Sequence, residues 1–168
     1  MRTPVTIVVI ATTLTGCLAT TAGYSMMASA LPDDPVARID AAKSASQSAE
    51  QLVAGFVPTK DVKSLRQTRT GSLLTCSSGK QWSGDTTVGL VSRQDGSRLV
   101  DEMSRRAEDS GFDVEQDKTR SGTPRVTLTA DSGVSLLVGV WNDETVVNID
   151  SFSMCFSLPD DFLPEPSY

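Results

Sequence analysis

Residues 125 to 157, RVTLTADSGVSLLVGVWNDETVVNIDSFSMCFS, decide the fold that the sequence predicts. They contain three apolar, β-type runs, at 125–130, 134–141 and 145–157. Asp131-Ser132-Gly133 and Asn142-Asp143-Glu144 separate these runs, and both breaks have turn chemistry. Because such short connections join antiparallel neighbours, the segment predicts three successive strands of a meander.

The regions around this segment extend the same sheet. Within the last run, the parity of the apolar residues slips between Ile149 and Phe152, which predicts a β-bulge near Asp150-Ser151. Residues 112–118 form a further strand pattern, ended by the turn residues 120–124. Earlier in the chain, 72–77 and 81–91 indicate a hairpin that turns at Ser78-Gly79-Lys80.

Two helices complete the pattern. Asp33-Asp34-Pro35 is typical of a helix start, and apolar residues then recur at a helical period until Gly55 and Pro58. A second amphipathic segment, RLVDEMSRRAEDS at 98–110, ends before Gly111. The predicted fold is α+β: an antiparallel sheet of about six strands in the order α-β-β-α-β-β-β-β, with both helices packed on one face. We assign it to residues 33–158, followed by an irregular tail at 159–168.

The composition excludes several kinds of site. The 168 residues carry a net charge of −6 and include no histidine. Catalytic triads that need histidine and His-ligated zinc sites are therefore excluded within this chain. Acidic residues surround the only adjacent arginines, Arg105-Arg106, so we expect no nucleic-acid partner. No phosphate-binding loop or calcium loop is present, and we expect no cofactor and no metal.

The N-terminal residues predict where in the cell the protein is located. Arg2 precedes an apolar run, Val5 to Leu14, that is too short to span a bilayer but is typical of a secretory signal. It ends in Leu14-Thr15-Gly16-Cys17, which resembles the lipobox of bacterial lipoproteins. The resemblance implies a signal peptide at 1–16, cleavage before Cys17, and a lipid on its thiol that anchors the protein on the outer face of the cell membrane. Residues 17–32 are small and uncharged, which is typical of a flexible tether.

Two alternatives remain open for this region. The apolar run could serve as an uncleaved signal anchor. Ordinary cleavage could instead follow Ala28-Ser29-Ala30, although that pattern lies far behind the apolar run.

Two further cysteines remain after Cys17. Cys76 and Cys155 form an even pair in a chain expected to be exported, which predicts a disulfide that closes about 80 residues. The pairing would bring the first strand of the early hairpin close to the last strand. The alternative is a pair of buried free thiols.

The side chains that could carry chemistry or recognition are few. Asp85 and Asp150 are candidates for a pair of convergent carboxylates, and Asp143-Glu144 falls in a predicted hairpin turn, where solvated acids are usual. Trp82 shares a strand face with Val88 and Leu90, which favours a place in the core. Trp141 and Leu137 fall on the opposite strand face from their apolar neighbours, either as a recognition surface or beneath the first helix.

The mature part, with Cys76, Trp82, Gly84, Asp85 and the late cysteine, is similar to small uncharacterised lipoproteins of actinobacteria. That resemblance implies no known activity. We therefore expect a non-enzymatic, membrane-anchored envelope module that binds an envelope protein or wall component. The alternatives are an envelope hydrolase that uses convergent carboxylates, and a carrier of lipids or small molecules.

Overall fold

A computed structural model describes residues 31–165, 167 and 168, and its fold is α+β, as predicted. The two helices are α1 (Pro35–Ala54) and α2 (Gly96–Asp109). The seven strands are β1 (Val62–Gln67), β2 (Ser72–Cys76), β3 (Gly79–Leu90), β4 (Asp113–Lys118), β5 (Pro124–Thr129), β6 (Ser135–Trp141) and β7 (Val146–Phe152). They form one antiparallel sheet in the order β1-β3-β7-β6-β5-β4, and β2 pairs with the first residues of β3.

Side-chain caps position both helices. The Asp34 carboxylate accepts a hydrogen bond from Ala37 N at 2.8 Å, and Pro35 occupies the first turn of α1. Asp95 caps α2 in the same way, accepting from Arg98 N at 3.0 Å. Gly111, at a φ of +86°, lets the chain turn back into β4.

Both helices pack on the same face of the sheet, also as predicted. One core joins α1 residues such as Val53 and α2 residues such as Met103 to the inward side chains of the strands. Its central members are fully buried: Val53, Val88, Val100, Met103, Val126, Leu128, Leu136, Val138, Val147 and Ile149. A sheet covered on one side leaves alternate residues of each strand on the opposite side.

A second, smaller cluster lies around Trp82 at the end of the sheet. Trp82 is fully buried against Ile39, Ala42 and Phe156, which confirms its predicted place in the core. Partly buried apolar residues from β2 and from both ends of the described chain pack around this cluster: Leu31, Leu73, Leu158, Phe162 and Tyr168. A Cβ at Gly84 would lie 2.1 Å from Cη2 of the Trp82 ring, so the glycine provides the space for the indole.

The prediction of about six strands missed β1. This strand lies at the sheet edge, and its burial alternates too little to give a period of two. An irregularity in its pairing lies between Val62 and Ser64. A solvated edge strand buries few side chains, so its sequence carries little β signal.

The predicted bulge near Asp150-Ser151 was wrong. β7 pairs in continuous register with both neighbours from Val146 to Phe152. The apolar parity slips because Ser151 is a fully buried polar residue at an inward position, where it donates a hydrogen bond to Glu50. The predicted strand 145–157 is also too long, since β7 ends at Phe152 and only Phe156 forms a further bridge, to Lys80.

The disulfide between Cys76 and Cys155 is confirmed, with the two Cα atoms 6.2 Å apart. Cys76 ends β2, whereas Cys155 lies beyond β7 in the segment that bridges to Lys80. The bond therefore spans the first residues of β3 and does not join two paired strands. It fastens the C-terminal segment over the Trp82 cluster. No helix among the described residues is long and apolar enough to cross a membrane.

Candidate functional site

The candidate site lies on the face of the sheet that the helices leave uncovered. Along β3, β6 and β7, successive side chains point alternately into the core and onto this face. Because both helices occupy the other face, Trp141 and Leu137 do not lie under α1, and that alternative is excluded. This face is mixed in character, with both apolar and polar side chains.

Trp141 is the most prominent side chain of this face, at 46% exposed. Its ring lies across Gly139, two residues earlier in β6, because a Cβ at that position would lie 3.0 Å from the indole Nε1. Leu137 is half-buried farther along the same strand, opposite Asp150. Because Gly139 has no side chain, the Trp141 ring can approach the strand closely while nearly half of the residue remains exposed.

A hollow of about 360 Å³ opens beside this ring. Two hairpin loops form its walls: Ser121 to Pro124, between β4 and β5, and Asn142 to Glu144, between β6 and β7. Arg93 contributes a third side. The walls thus combine one aromatic ring with amide, hydroxyl, carboxylate and guanidinium groups, so the hollow is more polar than most small-molecule sites.

The loop after Trp141 has an unusual backbone. Asn142, Asp143 and Glu144 all adopt positive φ angles, at 52°, 54° and 63°. Asn and Asp tolerate this region, but a glutamate there is uncommon and costs free energy. Several hydrogen bonds hold the loop, among them those from Thr145 N and Thr145 Oγ1 to the Asn142 carbonyl, at 3.2 and 2.6 Å.

Glu144 ties this loop to the start of α2. Its carboxylate accepts from Arg93 Nε at 2.9 Å and from Gly96 N at 3.1 Å, and its carbonyl accepts from Gln94 N at 3.0 Å. The Arg93 hydrogen bond, followed by the Gly96 amide, lowers the pKa of Glu144. The same contact raises the pKa of Arg93. The sequence did not predict this role, since an acidic residue in a hairpin turn is usually solvated.

Asp85 and Asp150 lie directly opposite one another on β3 and β7, so the structure does bring this predicted acid pair together. Both are half-buried on the open face. Burial raises the pKa of Asp150 and the nearby charge of Asp85 adds to the rise, while a hydrogen bond from Asn148 at 2.9 Å opposes it. Neither acid lines the hollow beside Trp141.

A buried polar cluster lies on the other face, and the sequence reading also missed it. Glu50 of α1 is fully buried and accepts hydrogen bonds from Thr86 Oγ1 and Gln67 Nε2, each at 2.7 Å, and from Ser151 Oγ. These are neutral donors, which satisfy the carboxyl group without an ion pair. Its position four residues after Ser46, on the apolar stripe of α1, is the signal that could have revealed it.

Some predicted residues lie outside the described part of the chain. These are the lipobox residues Leu14, Thr15, Gly16 and Cys17. Within the described part, no group of three or more Asp, Glu or Cys side chains could hold a metal ion.

The comparisons with known proteins add little. No protein-family model and no curated protein matches this sequence. One solved structure is similar, that of a DUF4853 family protein from Actinomyces odontolyticus, an uncharacterised actinobacterial protein. Identity is 17% and the TM-score 0.45, over 72% of this chain and 70% of that one. A likeness of this strength supports no inference about function.

Proposed function

We propose that this protein is a lipid-anchored, extracytoplasmic binding module of the cell envelope, and that the hollow beside Trp141 is where it binds an envelope component. The accessible Trp141 ring, which lies close to Gly139, carries this proposal. A tryptophan side chain has only two χ angles, so it supplies a large contact area at a low cost in conformational entropy. The lipobox-like Leu14 to Cys17 supports the anchor.

The surroundings of Trp141 favour recognition over packing. An accessible aromatic ring next to hydrogen-bonding groups is the arrangement found at interaction hot spots. The backbone strain of Asn142 to Glu144 is held in place by the contacts of Glu144 with Arg93 and Gly96. A stored strain of this kind is typical of sites that present side chains to a ligand.

Intrinsic fluorescence can test the binding site. The chain has two tryptophans, and Trp82 is fully buried, so quenching by acrylamide reports on Trp141. We expect soluble fragments of the host cell wall to reduce this quenching in a saturable way. Because Trp141→Ala removes this reporter, the variants are compared by isothermal titration calorimetry with the same fragments. Trp141→Ala should abolish binding, whereas Leu163→Ala, which removes another exposed apolar side chain, should leave it unchanged. Equal binding by both variants would refute the site.

Membrane fractionation can test the anchor. Wild-type protein should float with membranes, carry the mass of a lipid on Cys17, and lose both properties in Cys17→Ser. If the wild type is found in the soluble fraction with an unmodified Cys17, the anchor is wrong.

A second candidate function, hydrolysis by Asp85 and Asp150, rests on their opposite positions and on the raised pKa of Asp150. Wall-polymer cleavage that is lost in both Asp85→Asn and Asp150→Asn but retained in Trp141→Ala would favour it. The carrier alternative needs a cavity between sheet and helices. In the described residues, fully buried side chains such as Met103 and Leu128 occupy that space.

A further inference from the structure

The charges of this acidic chain are unevenly placed. Of its 15 Lys and Arg residues, Lys60, Lys63, Arg66 and Arg69 fall within ten positions, which contain only one of its 21 acids. All four side chains are exposed. None takes part in the ion pairs found among the described residues. We call these four residues the basic edge.

The basic edge follows one border of the sheet. β1 pairs with β3 on one side, and along the described chain no strand pairs with its other side. Leu65, in the middle of β1, is 57% exposed. The opposite border, β4, is acidic on balance: exposed Asp113, Glu115 and Asp117 outnumber Lys118, and within the described chain Asp117 alone of the three forms an ion pair, with Arg125. Positive charge therefore collects at the β1 edge and negative charge at the β4 edge, although the chain as a whole is negative.

The Arg69 end of the basic edge lies close to the first described residues of the domain, whereas Lys60 lies at the far end of β1, where Val62 pairs with Leu90. Leu31, the first described residue, packs against the Trp82 cluster. Gly71, two residues after Arg69, lies against the Trp82 ring, with its ideal Cβ position 2.5 Å from ring carbons. The fourteen-residue path from Cys17 to Leu31 can reach at most about 50 Å. A lipid on Cys17 therefore keeps the domain within reach of the membrane surface, where charge can select its orientation.

We propose that the basic edge contacts the anionic headgroups of the membrane that holds the anchor, and so orients the domain with β1 toward the lipid and β4 away from it. The proposal rests on the proposed anchor. Each Lys or Arg near an anionic surface adds roughly fivefold to the preference for contact, within about a Debye length. The acidic β4 edge is repelled by the same surface. In this orientation the open face, including Trp141, stands beside the membrane and remains accessible from the envelope space.

Lysine labelling on vesicles can test the orientation. Because Cys76 and Cys155 are paired, Cys17 is the one remaining thiol, and the chain from Cys17 onward can be coupled through it to a maleimide lipid. Coupled vesicles contain either phosphatidylcholine alone or added phosphatidylglycerol. A water-soluble amine reagent then labels the protein, and mass spectrometry compares Lys60 with Lys118 on the β4 strand.

On anionic vesicles we expect Lys60 to react about tenfold more slowly relative to Lys118 than on neutral vesicles, and 0.5 M salt to remove the difference. Lys63→Glu/Arg66→Glu should abolish the protection. The matched control Arg105→Glu/Arg120→Glu makes the same charge change away from the edge and should preserve it. If the first variant does not fold, the dependence of the wild type on lipid charge and salt decides the question.

Two results would overturn the proposal. One is equal Lys60 labelling on neutral and anionic vesicles. The other is protection without vesicles that rises with protein concentration, which would show that a second copy occupies the edge. The vesicle experiment does not depend on lipidation in cells, because the protein is coupled to the lipid chemically. If Cys17 is not lipidated in cells, the proposed function is refuted but the vesicle result is unaffected.

Discussion

Replacing Glu50 by alanine removes an acceptor that three strands share, since Gln67, Thr86 and Ser151 lie on β1, β3 and β7. Glu50 Oε2 accepts from Gln67 and Thr86, and Oε1 accepts from Ser151. The carboxyl group therefore fastens α1 across the sheet. Its loss leaves buried donors unpaired, which is more costly than the loss of an ordinary hydrogen bond.

The magnitude follows from the individual donors. Thr86 is fully buried and loses a partner, at a cost of about 1–3 kcal/mol. Ser151 retains a weak alternative acceptor, the Gly84 carbonyl at 3.4 Å, and Gln67 retains its hydrogen bond to the Gln47 carbonyl. With the space vacated by the side chain, we expect Glu50→Ala to lower the free energy of unfolding by about 3–5 kcal/mol. That is a large share of the roughly 5–15 kcal/mol typical of a domain.

Two matched variants separate hydrogen bonding from packing. Glu50→Gln keeps the volume and one acceptor, and the hydroxyl groups can reorient, so we expect a loss of about 1 kcal/mol. Glu50→Leu alone should be strongly destabilising. Glu50→Leu combined with Thr86→Val and Ser151→Ala removes the acceptor and two of its three donors, while Gln67 keeps its hydrogen bond to the Gln47 carbonyl, and should recover most of the stability.

The assay is urea unfolding at pH 7 with the disulfide intact, monitored by circular dichroism and analysed by linear extrapolation. The slope of the transition should not change among the variants. A cost below about 1 kcal/mol for Glu50→Ala, or a cost equal to that of Glu50→Gln, would show that the unpaired donors do not destabilise the fold. Failure of the triple variant to recover would show that packing, and not the unpaired donors, dominates.

Three further predictions concern other parts of the fold. Gly84→Ala should lower the free energy of unfolding by about 1–3 kcal/mol, because the new methyl group would overlap the Trp82 ring. Urea unfolding measures the loss of stability, and near-ultraviolet circular dichroism reports on the tryptophan. An unchanged free energy of unfolding would contradict the predicted overlap. Replacing both Cys76 and Cys155 by serine should cost about 4.5 kcal/mol on the chain-entropy model for a separation of 79 residues, and adding reductant to the wild type should reproduce the loss. Asp150→Asn should stabilise the protein at pH 7: the folded state raises the pKa of this carboxyl above its ordinary 3.8, so ionisation opposes folding above that value, and the gain should disappear as the pH falls below it. A gain that persists at pH 3 would contradict the electrostatic cause.

The predicted and observed folds differ where burial is partial or polar. The meander of β5, β6 and β7 was predictable because its inward positions are nearly continuous apolar residues with turn chemistry between them. β1 was not predictable, because an edge strand buries few side chains and its sequence therefore lacks a regular alternation of apolar and polar residues. Ser151 misled the pattern analysis because a polar residue at an inward position looks like a shift of register until its partner Glu50 is known.

The sequence predicted some features of the candidate site, and others became visible only in the folded chain. Strand parity alone placed Trp141 and Leu137 opposite the core, and the tertiary structure decided that the helices leave that face open. The cross-strand alignment of Asp85 with Asp150 depended on the pairing of β3 with β7, which are more than fifty residues apart in the chain. The contact of Glu144 with Arg93 and Gly96 depended on two loops meeting, and no local pattern encodes such a meeting.

Features that depend on neighbours along the chain were already visible in the sequence: helix caps, turns, the alternation of the strands, the motif at Cys17 and the presence of a cysteine pair. These follow from local backbone preferences and from periodicity, which act over a few residues. The folded chain was needed to reveal the order of the strands, the partners of Glu50 and Glu144, the hollow beside Trp141, and the separation of the basic and acidic edges. Those features arise from contacts between distant segments, and such contacts form only when the whole chain buries its apolar surface together.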